Sequence, residues 1–279
     1  MTILEKIIHQ LQGSGIESPR LEARLLIAHI LQCDATQIMG DVILTEEQNE
    51  YLQTLLARRL KHEPLDKIIG HREFYKSDFK VSNKVLSPRA DTETLVEEAL
   101  LLIDSVQSTN ILDLGTGSGC IIESLLSERP NCCGTAVDIS SEALQIAREN
   151  AENLGLDKRL KFIQADWFAD DFSEKINDTF DVIVTNPPYI PSNDIASLMP
   201  EVREYDPLLA LDGGNDGFLS YKRIAEVVPQ MLKNGGYILI EAGIEQAAQI
   251  ADIFSEQGLQ HIKTANDLAG VPRCVVMKK

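Results

Sequence analysis

Positive charge is scarce in this chain: 26 Lys and Arg stand against 43 Asp and Glu, a net charge of −17 over 279 residues. Clustered Lys and Arg supply most of the affinity in sequence-blind nucleic-acid binding. So strong a deficit argues against that function, and no direct nucleic-acid substrate is expected. An acidic surface suits solubility or a basic macromolecular partner. Cysteine is sparse too. Cys33, Cys120, Cys132, Cys133 and Cys274 form no CxxC and no Cys/His zinc spacing. Such a set predicts reduced thiols in a reducing compartment. The five histidines are equally dispersed, so no metal is expected. No apolar run approaches the roughly 18 residues needed to span a bilayer. The opening MTILEKIIHQLQ carries Glu5, His9 and Gln10 among its apolar residues and reads as an amphipathic helix, not a signal peptide. A soluble, cytoplasmic protein without membrane partners is expected.

What is present falls into two patterns, and the length suits about two domains. Residues 1–71 read as an all-α unit. Leu4, Ile7, Ile8 and Leu11 repeat at helical spacing, as do Leu21, Leu25, Ala28 and Leu31. Thr45–Gln48 (TEEQ) fits a capping box opening a helix through Arg59, and Pro64 suits the first position of a short helix after it. Residues 72–279 read as α/β, with 72–90 a hairpin and linker built on REFYKSDFKVS. Strands are expected at Ile111–Leu114, Gly134–Val137, Leu160–Gln164, Asp181–Thr185, Tyr237–Glu241, His261–Thr264 and Arg273–Met277. Helices are expected at Gly119–Glu128, Ser141–Leu154 and Tyr221–Leu232. Alternating βα units imply a mostly parallel, seven-stranded, Rossmann-like sheet with helices on both faces.

The first of these strands runs into ILDLGTGSG, where Gly115, Thr116, Gly117, Ser118 and Gly119 form a glycine-rich turn. Glycine lets the backbone turn sharply and lets a ligand lie against it. Asp138 ends the next strand, at about the twenty-residue spacing from which a carboxylate reaches ribose hydroxyls. Two details separate cofactor classes. The glycines read GxGxG and not the dinucleotide pattern GxGxxG. Asp113 precedes the turn, a poor neighbour for pyrophosphate and a suitable one for a cation. S-adenosylmethionine (AdoMet), with a sulfonium, an ammonium and no phosphate, fits both. Asp166 and Trp167 follow the third strand, where ligands bind in open α/β sheets. The carboxylate suits an adenine amine and the indole suits stacking on the base.

The fourth strand leads into Asn186, Pro187, Pro188 and Tyr189. Two prolines at a strand end cannot continue a sheet, and they hold Asn186 extended. The result is a rigid loop at the sheet's carboxyl edge. An amide or adenine NH₂ has a delocalised lone pair and is a poor nucleophile. The Asn186 side-chain carbonyl and the Pro187 backbone carbonyl can each accept one of its hydrogens and aim the nitrogen. Both bonds strengthen as positive charge develops, which lowers the barrier. Tyr189 suits stacking on a planar substrate. NPPY alone leaves adenine and glutamine amides both open.

HREFYKSDFKV (71–81), SPRADTE (87–93), ILDLGTGSG, NPPYI, EVREYDPLLALDGGNDGFLSY (201–221) and DLAGVPR (267–273) follow in that order. This sequence resembles the PrmC/HemK family of protein-glutamine methyltransferases over nearly its whole length. The resemblance implies a Rossmann-like AdoMet-dependent methyltransferase domain behind a small helical domain, here expected to dock the macromolecular substrate. It implies transfer to the glutamine of the GGQ loop in bacterial class I peptide chain release factors, with S-adenosylhomocysteine as product. It implies cofactor contacts at Gly115–Gly119, Asp138, Trp167 and Asn186, and assigns Asn186–Tyr189 to the glutamine. One departure is visible. The family loop IPRPxTE reads with Ser87 and Ala90 here, which predicts a looser loop.

Overall fold

The computed structural model describes residues 1–40 and 42–279. Helices are α1 (Ile3–Gly13), α2 (Pro19–Leu31), α3 (Glu46–Arg59), α4 (Leu65–Ile69), α5 (Glu93–Leu102), α6 (Cys120–Glu128), α7 (Ser141–Asn153), α8 (Phe172–Ile176), α9 (Pro200–Arg203), α10 (Leu219–Met231) and α11 (Ala247–Glu256). Strands are β1 (His71–Phe74), β2 (Ser77–Lys80), β3 (Asn110–Leu114), β4 (Cys133–Asp138), β5 (Leu160–Gln164), β6 (Phe180–Thr185), β7 (Leu232–Glu241), β8 (Gln260–Asn266) and β9 (Pro272–Lys278). The chain separates into two compact units, Met1–His71 with Met199–Tyr205, and Arg72–Leu198 with Asp206–Lys279.

The first unit holds α1 to α4 and α9. Capping boxes start two of its helices. Thr2 and Glu5 bond each other's backbone at α1, and Thr45 and Gln48 do so at α3. Pro64 is the N-cap residue of α4, one place before its first turn. The core contains Ile7, Leu11, Ala23, Leu26, Ile27, Leu52, Leu55 and Leu56. Burying each of its large aliphatic side chains stabilises by about 1.5–3 kcal/mol. On α2 the spacing of Leu21, Leu25, Ala28 and Leu31 marks the helix but only part of its buried face. Ala23, Leu26, Ile27, Ala28 and Ile30 are buried, while Leu21 is 54% exposed. That helix is apolar on adjoining faces, so periodicity could not choose between them. Nothing in the sequence pattern placed Met199–Tyr205 here. Glu201 meets Arg59 at 3.4 Å and His62 at 3.0 Å, and Lys67 donates to the Tyr205 carbonyl at 2.6 Å.

In the second unit, seven strands among the described residues make one sheet in the order β5-β4-β3-β6-β7-β9-β8. β9 runs antiparallel to β7 and to β8, and the remaining pairs are parallel. Alternate side chains enter opposite cores. Leu112, Leu114, Ile183, Ile238 and Ile240 pack with α10 and α11 on one face, and Ile111, Val182, Val184 and Leu239 pack with α5 and α6 on the other. β7 is longer than its pattern suggested. Leu232 already pairs with Phe180, and Lys233–Gly236 form an irregularity in the β6 pairing before Tyr237 pairs with Val182. A Cβ on Gly236 would stand 2.9 Å from the Asp181 carbonyl oxygen, so only glycine permits that approach.

The chain leaves β3 toward β4 and β5 on one side, then returns to β6 and β7 on the other. Strand order therefore reverses at the carboxyl ends of β3 and β6, the point where open α/β sheets bind ligands. The glycine turn and the NPPY loop leave these two adjacent strands.

Candidate functional site

Three glycines shape the turn after β3. Gly115, Gly117 and Gly119 all have positive φ, and Gly119 caps the N-terminus of α6. A Cβ on Gly115 would stand 3.3 Å from the Trp167 ring. The indole thus closes directly on the turn, and the two segments shape one another. Asp138 ties the turn to β4. Its Oδ2 accepts from the Gly117 N–H at 2.9 Å and its Oδ1 from the Ser140 N–H at 2.9 Å. Burial raises the Asp138 pKa above the ordinary carboxylate value, and the N–H groups of Ser140, Gly117 and Ile139 oppose the rise. Each oxygen has used one of about two acceptor positions, which leaves capacity for a pair of hydroxyls.

A cavity of about 510 Å³ opens here. Gly115, Thr116, Gly117, Ser118, Asp138, Asp166, Trp167, Asn186 and Pro188 all reach its wall. Asp166 Oδ1 accepts from the Phe168 N–H at 2.8 Å. Gly119, Pro187 and Tyr189 are not on the wall. Gly119 lies under Glu123, where an added Cβ would stand 2.0 Å from Oε1. Pro187 is buried behind the loop. The Tyr189 ring packs against the core, and burial pushes its hydroxyl pKa up to about 12. Asp113 is fully buried behind the turn instead of facing a ligand. It accepts from the Thr116 hydroxyl at 2.7 Å, and burial raises its pKa to about 7.

Ile139, Phe168, Leu208 and Leu209 also line the cavity and were not anticipated. Ile139 and Phe168 each directly follow a residue that was, so their place at a strand end was the available signal. The SPRADTE loop contributes Ser87, Pro88, Arg89 and Thr92 to the wall. Ser87 is buried, and the loop is held by Arg89 to Asp206 at 2.8 Å and by Asp91 to Arg273 at 3.2 Å.

The NPPY loop rests on the DGGNDG segment. The Ile190 N–H donates to the Leu211 carbonyl at 3.0 Å, the Gly213 N–H to the Ile190 carbonyl at 2.9 Å, and the Ser192 N–H to the Gly214 carbonyl at 2.9 Å. Asp212 Oδ1 accepts from the Ser192 hydroxyl at 2.7 Å and the Gly214 N–H at 2.9 Å. At Gly213 and Gly217 the loop backbone lies too close for any side chain.

A sheet of this order, with a glycine turn on β3 and an NPPY loop on its neighbour β6, has the fold of the Rossmann-like AdoMet-dependent methyltransferases. A crystal structure of a methyltransferase from Pyrococcus furiosus shares it, with a TM-score of 0.52 at 15% identity over 84% of this chain and 98% of that one. Residues 2–70 match the PrmC N-terminal domain family and residues 105–277 a methyltransferase domain family. The chain is 41% identical to the release factor glutamine methyltransferase of Rhodospirillum rubrum, over 99% of this chain and 84% of that one. It is 39% identical to that of Caulobacter vibrioides, over 96% and 92%, and 40% identical to that of Geobacter sulfurreducens, over 95% and 91%. The chain belongs to the release factor glutamine methyltransferase family.

Proposed function

We propose that this protein transfers a methyl group from AdoMet to the side-chain amide nitrogen of the glutamine in the GGQ loop of class I peptide chain release factors, tuning translation termination from the cytoplasm. The observation that carries the reading is the NPPY loop's place beside the glycine turn, with Asn186 on the wall of the same cavity as Asp138 and Trp167. The relatives' shared name supports the choice of substrate.

AdoMet, when bound, supplies an electrophilic methyl group on sulfur. The protein's part is binding and aim. Gly115–Ser118 offer backbone to the ligand, Asp138 accepts from the ribose hydroxyls, Asp166 accepts from the adenine amine, and Trp167 packs on the base. Asn186 Oδ1 and the Pro187 carbonyl accept the two hydrogens of the glutamine NH₂, which turns its lone pair toward the methyl. As the glutamine nitrogen gains the methyl group, it would become cationic. Both acceptors then bind its hydrogens more strongly, so stabilisation grows toward the transition state. The nitrogen then loses a proton to water, and no strong base is needed. Tyr189, titrating at about 12, supports the loop from the core side and takes no part in proton transfer near neutrality. The helical unit docks the body of the release factor.

The test is a methyl-transfer assay with a class I release factor, ribosomal RNA and duplex DNA side by side. Incorporation into the release factor at the GGQ glutamine alone is expected. Incorporation into nucleic acid with none in the release factor would replace this reading with adenine methylation.

A further inference from the structure

An asparagine amide can sit in two orientations of nearly equal shape, with its oxygen and its NH₂ exchanged. Only its neighbours decide which one forms. For Asn186 the choice is functional, because the methyl-transfer reading needs Oδ1, and not Nδ2, to face the substrate NH₂. The inference that follows rests on that reading.

Three residues from distant parts of the sequence meet at this amide. Thr185 of β6 pairs with Ile240 of β7, so the next step along each chain brings Asn186 beside Glu241. Thr92, from the start of α5, is 2% exposed and accepts from Asn186 Nδ2 at 3.4 Å. Glu241 is 1% exposed. The Thr92 hydroxyl and the Asn186 amide both favour its ionised form, while Oε2 is buried with no hydrogen-bond partner. A carboxylate this deep is strongly disfavoured unless it is bonded. Thr92 and Asn186, the side chains whose hydrogen bonding favours its ionised form, are the two that bear on the proposed reaction.

We propose that Glu241, together with Thr92, is a positioning residue for methyl transfer: it holds the NH₂ side of Asn186 and so keeps Oδ1 turned toward the substrate nitrogen. An ionised carboxylate only accepts, so it binds Nδ2 and excludes the flipped amide. A protonated one can donate to Oδ1. That stabilises the flipped amide, which would set donor against donor at the substrate.

Glu241 titrates where this matters. Burial raises its pKa to about 7, against the pull of the Thr92 bond, the Arg273 guanidinium and the Asn186 bond, and with an added push from the Asp91 carboxylate. The other groups facing it are the Tyr189 and Tyr221 hydroxyls and the Cys120 and Cys274 thiols. All four have raised pKa values and stay neutral around pH 7. Turnover should therefore rise with pH as Glu241 ionises. Asp113 also titrates at about 7, so the pH profile of a Glu241 variant separates the two.

Two measurements on the full-length protein test the proposal. In the ¹⁵N-labelled protein without substrate, the Asn186 side-chain NH₂ resonances, assigned by their loss in Asn186→Asp, should shift with pH about a midpoint near 7, and Glu241→Gln should abolish the shift. With release factor as substrate, Glu241→Gln should lower kcat about a hundredfold, the scale of a small misplacement at a reacting centre. KM for the release factor and the AdoMet dissociation constant should hold, and the acid limb should flatten. Thr92→Val should lower kcat in the same direction, and Thr92→Ser, which keeps the hydroxyl, should recover most of that loss. Asn186 resonances that ignore both pH and Glu241→Gln overturn the proposal, as does wild-type kcat with an intact acid limb in Glu241→Gln. If Glu241→Gln does not fold, a wild-type kcat in Thr92→Val overturns it instead. If the wild-type protein leaves release factor unmethylated, the functional reading fails, while the resonance titration still decides whether Glu241 holds Asn186.

Discussion

Gly217 lies against the carbonyl oxygen of Tyr189, so close that a Cβ at position 217 would stand 2.5 Å from it. Gly213 approaches the same residue, with its Cβ position 2.7 Å from the Tyr189 Cα. Both contacts are to backbone, which cannot rotate away. Gly217 also has a φ of +77°, where a side chain adds strain. Gly217→Ala should therefore displace the NPPY loop. The expected result is a fall in kcat of about a hundredfold with little change in AdoMet affinity, read by steady-state kinetics and calorimetric titration. Wild-type turnover would mean the loop does not depend on this support.

Asp138 and Asn186 share one cavity wall but should fail differently. Asp138→Ala removes a charged acceptor whose hydrogen bonds are worth about 1.5–3 kcal/mol each, so calorimetry should show AdoMet binding weakened more than tenfold. Asn186→Ala removes an acceptor whose hold grows toward the transition state, and kcat should fall by about 10²–10³ or more in a protein that remains folded. An unchanged AdoMet affinity in the first variant removes Asp138 from the site, and wild-type turnover in the second removes Asn186.

Glu123 is a fully buried carboxyl with neither oxygen hydrogen-bonded. Burial, and then the nearby Asp113, raise its pKa well above the ordinary 4.5. A carboxyl whose folded pKa is raised contributes stability below its unfolded value and loses it as pH rises toward the folded one. Glu123→Leu should therefore stabilise the protein little near pH 4 and by about 1–3 kcal/mol at pH 8. Denaturant unfolding at both pH values measures the difference. A gain that shrinks with rising pH would contradict the assignment.

A docking role for the helical unit predicts that kcat/KM for the folded release factor exceeds that for a short GGQ peptide, because remote contacts lower the barrier at the reacting centre. Competition between the two substrates in one assay measures the ratio. Equal values would leave the unit without a part in recognition. Deleting residues 1–71 is the poorer test, since Met199–Tyr205 folds with that unit and would lose Arg59, His62 and Lys67.

Elements whose cause is local were legible before the fold was known. The capping box at Thr45 is a pairing between residues three apart. β5 was bounded at Leu160 and Gln164 by its apolar pattern and matches at both ends. The glycine turn and the NPPY loop were visible for a similar reason. A positive φ demands glycine and a rigid extended asparagine demands proline, whatever the rest of the chain does.

The sequence by itself therefore determined where the glycine turn and the NPPY loop stand, and through its ordered motifs the family. Only the tertiary structure decided what stands behind those loops. Glu241 stands beside Asn186 through the register of β6 on β7, and Thr92 meets it from the start of α5; no local pattern encodes either approach. Glu123 lies in a helix that otherwise reads as an ordinary apolar run, and its isolation appears only once neighbours enclose it. The constraint on Gly213 and Gly217 comes from a backbone more than twenty residues earlier. Hydrogen-bond partners, burial and close approach are properties of pairs in space, and pairs far apart in sequence meet only when the chain has folded.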